Sequence, residues 1–284
     1  RPALVLLGLD ESTAPDSEVS IPIKKPDENS TLESHSTHGI PYWALDVGQL
    51  GGLKEQAQKF IEGSEYLDLR MVMGLVDKPE AGILAQGRAL LDWNIRNRYC
   101  QGCSRPMRSV WGGWKRVCVD SAHYKPDLQV CPSKGPGVQN YNYPRTDPVV
   151  IMAVLSSDQN SILLGRQKPW PKQMYSAIAG FVEFGESLEE AVAREVFEEA
   201  VYHSSQPWPF PSSLMLGLMA IAKPNQNIRL DLDNELEDAK FFTREQVLAS
   251  IEDMETSGSR ESIYQADSRG GAAGFKIPPT YAFR

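Results

Sequence analysis

Cysteine is scarce in this chain, four among 284 residues, and that scarcity excludes a disulfide-stapled scaffold of the secreted kind. Basic charge is scarce as well. The 29 Lys and Arg stand against 37 Asp and Glu, a net charge of -8, so no general electrostatic attraction draws the chain to nucleic acid or anionic lipid. A phosphate-bearing ligand must then be held locally, by cations. No apolar run approaches the ~18 residues of a membrane span, and no charged, apolar and small-residue series of the secretory type opens the chain. These absences predict an intracellular protein that does not enter membranes. What is present, 41% hydrophobic and 23% charged residues, supports a substantial core and suits about two domains at ~150 residues each.

The order of patterns along the chain predicts an α/β protein. "PALVLLGL" reads as a strand, and the polar stretch from Asp10 to His38 as a loop. "YWALDV" predicts a strand, "GLKEQAQKFI" a helix and "LDLRMVMGL" another strand, and the apolar spacing from Glu80 to Arg98 predicts a helix. "DPVVIMAVL" and "SILLGRQ" predict paired strands around the polar turn Ser156 to Asn160. "LMLGLMAIA" predicts a further strand, and "TREQVLASI" a helix whose Thr243 and Gln246 have capping-box spacing. The Ser- and Gly-rich stretch from Thr256 to Gly274 reads as mobile. No internal repeat occurs.

The four cysteines are clustered. Cys100 and Cys103 form a Cys-x2-Cys knuckle, Cys118 follows after fourteen intervening residues, and Cys131 after twelve more. Four thiolates suit tetrahedral zinc, with a loop inserted between the last two ligands. The competing reading is four unrelated cysteines, one or two of them buried as small hydrophobes. A zinc with four protein ligands has no open position, so its role would be structural and the chemistry would lie elsewhere.

That chemistry is predicted on the helix within "AGFVEFGESLEEAVAREVFEEA", residues 179 to 200. On a helical wheel Leu188, Ala191 and Val192 fall within roughly 60° of Glu195, so a carboxylate points with the core stripe. Glu198 and Glu199 flank the same direction at i+3 and i+4. Three acids at a helix C-terminal end, where the backbone is already partly negative, are unfavourable unless paired or metal-bound.

Gly180, five residues, Glu186, seven residues, then "REVFEE" from Arg194 to Glu199 resembles the Nudix box, the motif of hydrolases that cleave nucleoside diphosphates linked to another group. The run departs from that pattern after the helix. Val201 stands in the place of a family glycine, and "VYHSSQPWPF" follows at once. Downstream, "SQPWPFPSSLM", Ser205 to Met215, resembles the sequence that marks the NADH pyrophosphatases of this family, and the order of cysteine segment, "YPRTDPVVI", box and "NELEDAKFF" resembles its eukaryotic, particularly fungal, members.

The resemblance implies a Nudix fold, a mixed β-sheet sandwiched between helices, with a zinc-ribbon segment and an N-terminal α/β domain. It implies a division into residues 1–97, the N-terminal domain; 98–143, the zinc segment; and 144–284, the catalytic domain. It further implies metal-dependent hydrolysis of the pyrophosphate of NADH or NAD to NMN(H) and AMP, with NAD-capped RNA, ADP-ribose or other dinucleotides as alternative substrates. Magnesium or manganese would be held by Glu195, Glu198, Glu199, Glu235 and the backbone of Gly180, with Glu195, Glu198 and Glu199 as the catalytic carboxylates. Gly180 lets backbone approach the site, and Arg194 is expected to orient Glu186 or Glu198. Phe181, Tyr143 and Trp208 match positions that contact the dinucleotide, by ring stacking or as core aromatics, and Gln206 matches one that reads a carboxamide or base edge. A short basic patch, Arg105, Arg108, Lys115 and Arg116, leaves RNA open as a partner. The resemblance also implies a homodimer and a peroxisomal or cytoplasmic location, although the final "AFR" is no Ser-Lys-Leu address. From a different class stands an inactive Nudix fold with a zinc ribbon for binding, which predicts lost box carboxylates; Glu186, Glu195, Glu198 and Glu199 are all present.

Overall fold

The computed structural model describes residues 2–10, 39–48, 51–60, 63–73, 75–119, 131, 133, 142–196, 200–224, 227–231, 235–256 and 274–278. The expected loop after Asp10 and most of the stretch after Thr256 lie outside them. Two compact units are present, one of residues 1–66 and 82–145, the other of 67–81 and 146–284. Among the described residues no helix is long and apolar enough to cross a membrane.

In the first unit β1 (Leu4–Asp10) pairs antiparallel with β2 (Ile40–Leu45), and α1 (Leu53–Phe60) follows. Helix α3 (Lys78–Arg96) packs on this pair from residue 82 onward. Its Gly87 makes the approach close, since a Cβ there would stand 3.3 Å from the Leu7 side chain and 3.4 Å from that of Ala44. Two short antiparallel strands, β3 (Met107–Val110) and β4 (Lys115–Cys118), place Met107 opposite Cys118. That register sends Met107, Ser109, Arg116 and Cys118 to one face and Arg108, Val110, Lys115 and Val117 to the other. Arg116 is buried: it donates to the backbone and side-chain oxygens of Asn94 at 3.1 and 3.0 Å and to the Met107 carbonyl at 3.1 Å. It belongs to the core and leaves the basic patch expected from the sequence, because a cation on the inward face must bring its acceptors with it.

The second unit is built on a mixed six-stranded sheet in the order β10-β6-β5-β9-β8, with β7 also paired to β5. The strands are β5 (Asp147–Leu155), β6 (Ser161–Gln167), β7 (Ile178–Phe181), β8 (Ala200–Trp208), β9 (Ser213–Ile221) and β10 (Leu236–Thr243). Only β5 and β9 run parallel. One edge of β5 is shared, Val149 to Met152 pairing with β7 and Val154 and Leu155 with β6. Pro207 is tolerated within β8 because that strand lies at the edge of the sheet.

Helix α4 (Leu188–Val196) buries Ala191 and Val192 fully against Val150, Met152, Val154, Leu163 and Leu218 on one face of the sheet. On the opposite face, Leu164, Tyr175, Phe242 and Phe275 form a second cluster, against which Val247 of α5 (Arg244–Thr256) packs. Adjacent Leu163 and Leu164 point to opposite faces, as strand alternation requires. The sheet is therefore sandwiched between helices. The expected capping box forms, Thr243 N–H donating to Gln246 Oε1 at 2.8 Å and Gln246 N–H to Thr243 Oγ1 at 3.3 Å.

One expected strand is a helix. Within "LDLRMVMGL", residues Leu69–Val72 form the short α2, capped by Asp68, whose carboxylate accepts from the Arg70 N–H at 2.9 Å. A short apolar run satisfies either period, and here the N-cap and Leu, Arg and Met, none of them β-branched, tip it to helix.

Candidate active site and cysteine cluster

The site starts at the beginning of α4. Ser187 and Glu190 form a second capping box, Ser187 N–H donating to Glu190 Oε2 at 2.7 Å and Glu190 N–H to Ser187 Oγ at 3.2 Å. This reciprocal cap, not singled out from the sequence, fixes where the helix begins and so where it places Glu195. In the turn before it, Glu186 accepts from the Glu183 N–H at 2.9 Å, closing the loop that follows β7.

Arg194 ties three segments together. Its Nε and Nη2 donate to the two Glu186 oxygens at 2.6 and 3.0 Å, Nη2 also donates to the Phe181 carbonyl at 2.8 Å, and Nη1 pairs with Glu195. The expected partner Glu186 is thus found. Glu195 was not expected, because neighbours in a helix diverge by about 100°, but a long guanidinium spans that angle. This fork-to-fork geometry holds the Glu186 carboxyl at about 2, first through the Arg194 hydrogen bond and then through the Glu183 N–H, against the opposing effect of desolvation.

Glu195 leans on Gly180 of β7. A Cβ on that glycine would lie 2.1 Å from Glu195 Oε1, so the carboxylate fills the space that any other residue would occupy. Gly180 is itself fixed by pairing with Val150. Glu198 and Glu199 lie outside the described residues, between the end of α4 at Val196 and the start of β8 at Ala200. Glu235, just before β10, accepts from Gln167 Nε2 at 2.6 Å. Gln167 carried no sequence signal, since only the pairing of β6 with β10 reveals it. Among the described residues no three carboxylates share ligand distance.

Of the aromatics, Phe181 ends β7 and is 58% exposed. Trp208 ends β8 and meets Phe210 edge to face at 5.3 Å, and the Arg70 guanidinium lies 4.5 Å over the Phe210 ring. Gln206 sits on β8, half-buried, opposite Met215. Tyr143 belongs to the first unit, its ring tilted at 6.1 Å from Trp111.

The four cysteines converge. Their sulfurs all lie within 4.8 Å of one another, at 3.6 Å for Cys100 and Cys131, 3.7 Å for Cys103 and Cys118, and 3.4 Å for Cys118 and Cys131. Ligands about 2.3 Å from a tetrahedral zinc stand about 3.8 Å apart, so the set fits that ion. Burial pushes the Cys118 thiol up, and a divalent cation reverses that preference by binding the thiolate.

Comparison with known proteins agrees with this arrangement. The NUDIX domain profile matches residues 145–265, and that of the NADH pyrophosphatase-like rudimentary NUDIX domain matches residues 2–93. The NAD-capped RNA hydrolase of Schizosaccharomyces pombe is 42% identical over 236 residues, 80% of this chain and 61% of that protein. Human NAD-capped RNA hydrolase NUDT12 is 45% identical over 197 residues, 67% of this chain and 39% of the relative. NAD-capped RNA hydrolase NudC of Mycobacterium bovis is 34% identical over 206 residues, 70% and 60% respectively. The chain spans less than two thirds of the length of each. With its box glycine, arginine and glutamates joined as described, the chain belongs to the Nudix family through residues 145–265, preceded by a rudimentary Nudix-like domain of the NADH pyrophosphatase type.

Proposed function

We propose that this chain hydrolyses the pyrophosphate of NAD(H), free or as the cap of an RNA, to NMN(H) and AMP. The observation that carries the reading is the Glu195 carboxylate seated over Gly180 and held by the Arg194 fork to Glu186. An oxygen donor fixed in place against a bare strand backbone suits a hard divalent cation. Glu195, Glu198, Glu199 and Glu235, with the backbone of Gly180, would hold magnesium or manganese. Bound there, the metal would neutralise phosphoryl charge and lower the pKa of the attacking water.

The chain's own residues supply the rest. Arg194 limits Glu195 to one orientation and so removes rotamer freedom before substrate arrives. Phe181 and Trp208 offer ring faces to the nicotinamide or adenine, and Gln206 reads a carboxamide or base edge. Gln167 restrains Glu235. The cysteine set would hold structural zinc. The three-part division at residues 97 and 143, the homodimer, and the peroxisomal or cytoplasmic location belong to the same proposal.

A second reading, a Nudix fold that binds without cleaving, stands against the presence of Glu186, Glu195, Glu198 and Glu199. Incubating the purified chain with NADH, NAD, ADP-ribose and NAD-capped RNA, with magnesium or manganese, separates the two. AMP released from NADH, or NMN from capped RNA, is expected. All four substrates left intact would overturn the hydrolase reading.

A further inference from the structure

We infer that the outer face of the β3–β4 hairpin, with Trp111, Lys115 and Arg108, is a binding platform for single-stranded nucleic acid. Between Arg98 and Val119 the sequence holds five cations and no carboxylate, within a chain of net charge -8. Arg116 is consumed in the core, and Arg98 and Arg105 have partners of their own. Arg108 and Lys115 remain, diagonal neighbours on the face turned away from the cysteines.

The aromatic part of the surface is held in an unfavourable backbone state. Trp111 is 65% exposed and adopts φ +52, a left-handed conformation rare for a bulky side chain. It opens the turn Trp111–Gly113, in which Gly112 and Gly113 also have positive φ. The turn is clamped to its surroundings: Trp114 Nε1 donates to the Leu6 carbonyl at 2.7 Å, Asn94 Nδ2 donates to the Gly113 carbonyl at 2.9 Å, and a Cβ on Gly113 would meet Val5 at 2.8 Å. The backbone is thus fixed by small residues and hydrogen bonds, while the one large side chain in strain points into water. A strained, exposed ring on a rigid turn is a recognition feature more than a packing one.

Lys115 Nζ lies 4.2 Å from the Trp111 ring centroid and 4.8 Å from that of Tyr143. An ammonium between two rings, with a guanidinium diagonal to it, joins cations for phosphates to aromatic faces for bases, the combination by which sequence-tolerant single-strand sites work. Paired bases hide their faces, so a duplex has nothing to offer Trp111. The surface requires no turnover, so its test reads binding alone, whatever the outcome for hydrolysis.

Fluorescence anisotropy of a short oligouridylate on the full chain, without added magnesium, manganese or NAD(H), tests this. Glycine is at home at this φ, so Trp111→Gly removes the ring without adding strain; it should keep its zinc and weaken binding about fivefold or more. Trp111→Phe should fall between that variant and the wild type, and Lys115→Gln should lower the slope of log affinity against log salt by roughly 1. Equal affinity of the wild type and both Trp111 variants would overturn the inference, as would duplex RNA binding as tightly as the single strand.

Discussion

Arg194 is the residue through which the site is assembled. It contacts the turn before α4 through Glu186, the end of β7 through the Phe181 carbonyl, and the neighbouring Glu195, so one side chain holds two carboxylates and a strand end. The depressed Glu186 pKa has a consequence in acid. A carboxylate whose folded pKa lies below its unfolded value contributes stability that is present above the unfolded value and lost as pH falls through the folded one. For Glu186 that window runs from 4.5 down to about 2. Thermal melts across it should show a shallower acid decline for Glu186→Gln than for the wild type, and parallel declines would contradict the pairing. Gly180→Ala tests the other contact. The atom that the new Cβ meets is the mobile end of Glu195, so stability should change by only about 1 kcal/mol or less, while hydrolysis drops sharply because the carboxylate is displaced. Retained hydrolysis would remove Glu195 from the site. Arg194 and Glu186 were legible in the sequence because the box spacing names them. The Glu195 contact was not, since it depends on the reach of one rotamer, and Gln167 was not, since it depends on strand register.

The two capping boxes do comparable work at the scale of elements. Ser187 with Glu190 starts the helix that carries Glu195, and Thr243 with Gln246 starts the helix that covers the opposite face of the sheet. Thr243→Ala should cost about 1 kcal/mol in denaturant unfolding, and an unchanged midpoint would show that the cap is idle. Most strands were legible because their apolar runs are long or alternate cleanly. The exception, α2, is too short for periodicity to decide and is settled by the Asp68 cap. The prolines of "QPWPFP" favour a rigid turn, yet Gln206, Pro207 and Trp208 complete β8, because an edge strand leaves one side of its backbone unpaired and can accept a proline there.

For the whole molecule, two units with separate duties follow from where the chemistry-bearing residues fall. The first unit gathers the four cysteines, which were legible as a set from the knuckle, Cys131 included, despite the long gap before it. Cys103→Ser should release most of the zinc, measured by metal analysis, and lower the melting temperature of the chain; full zinc content would defeat the assignment. The second unit holds the box, and its sheet between helices is what sets β7 and α4 close enough for a glycine and a glutamate to meet. The most direct test of the central claim, that these carboxylates serve metal-dependent cleavage of a pyrophosphate, is AMP release from NADH titrated with manganese, for the wild type and for Glu199→Gln. The account predicts release that rises with metal in the wild type and falls by roughly a hundredfold or more in the variant, with the fold intact. Release that needs no metal, or equal release from both proteins, would contradict it.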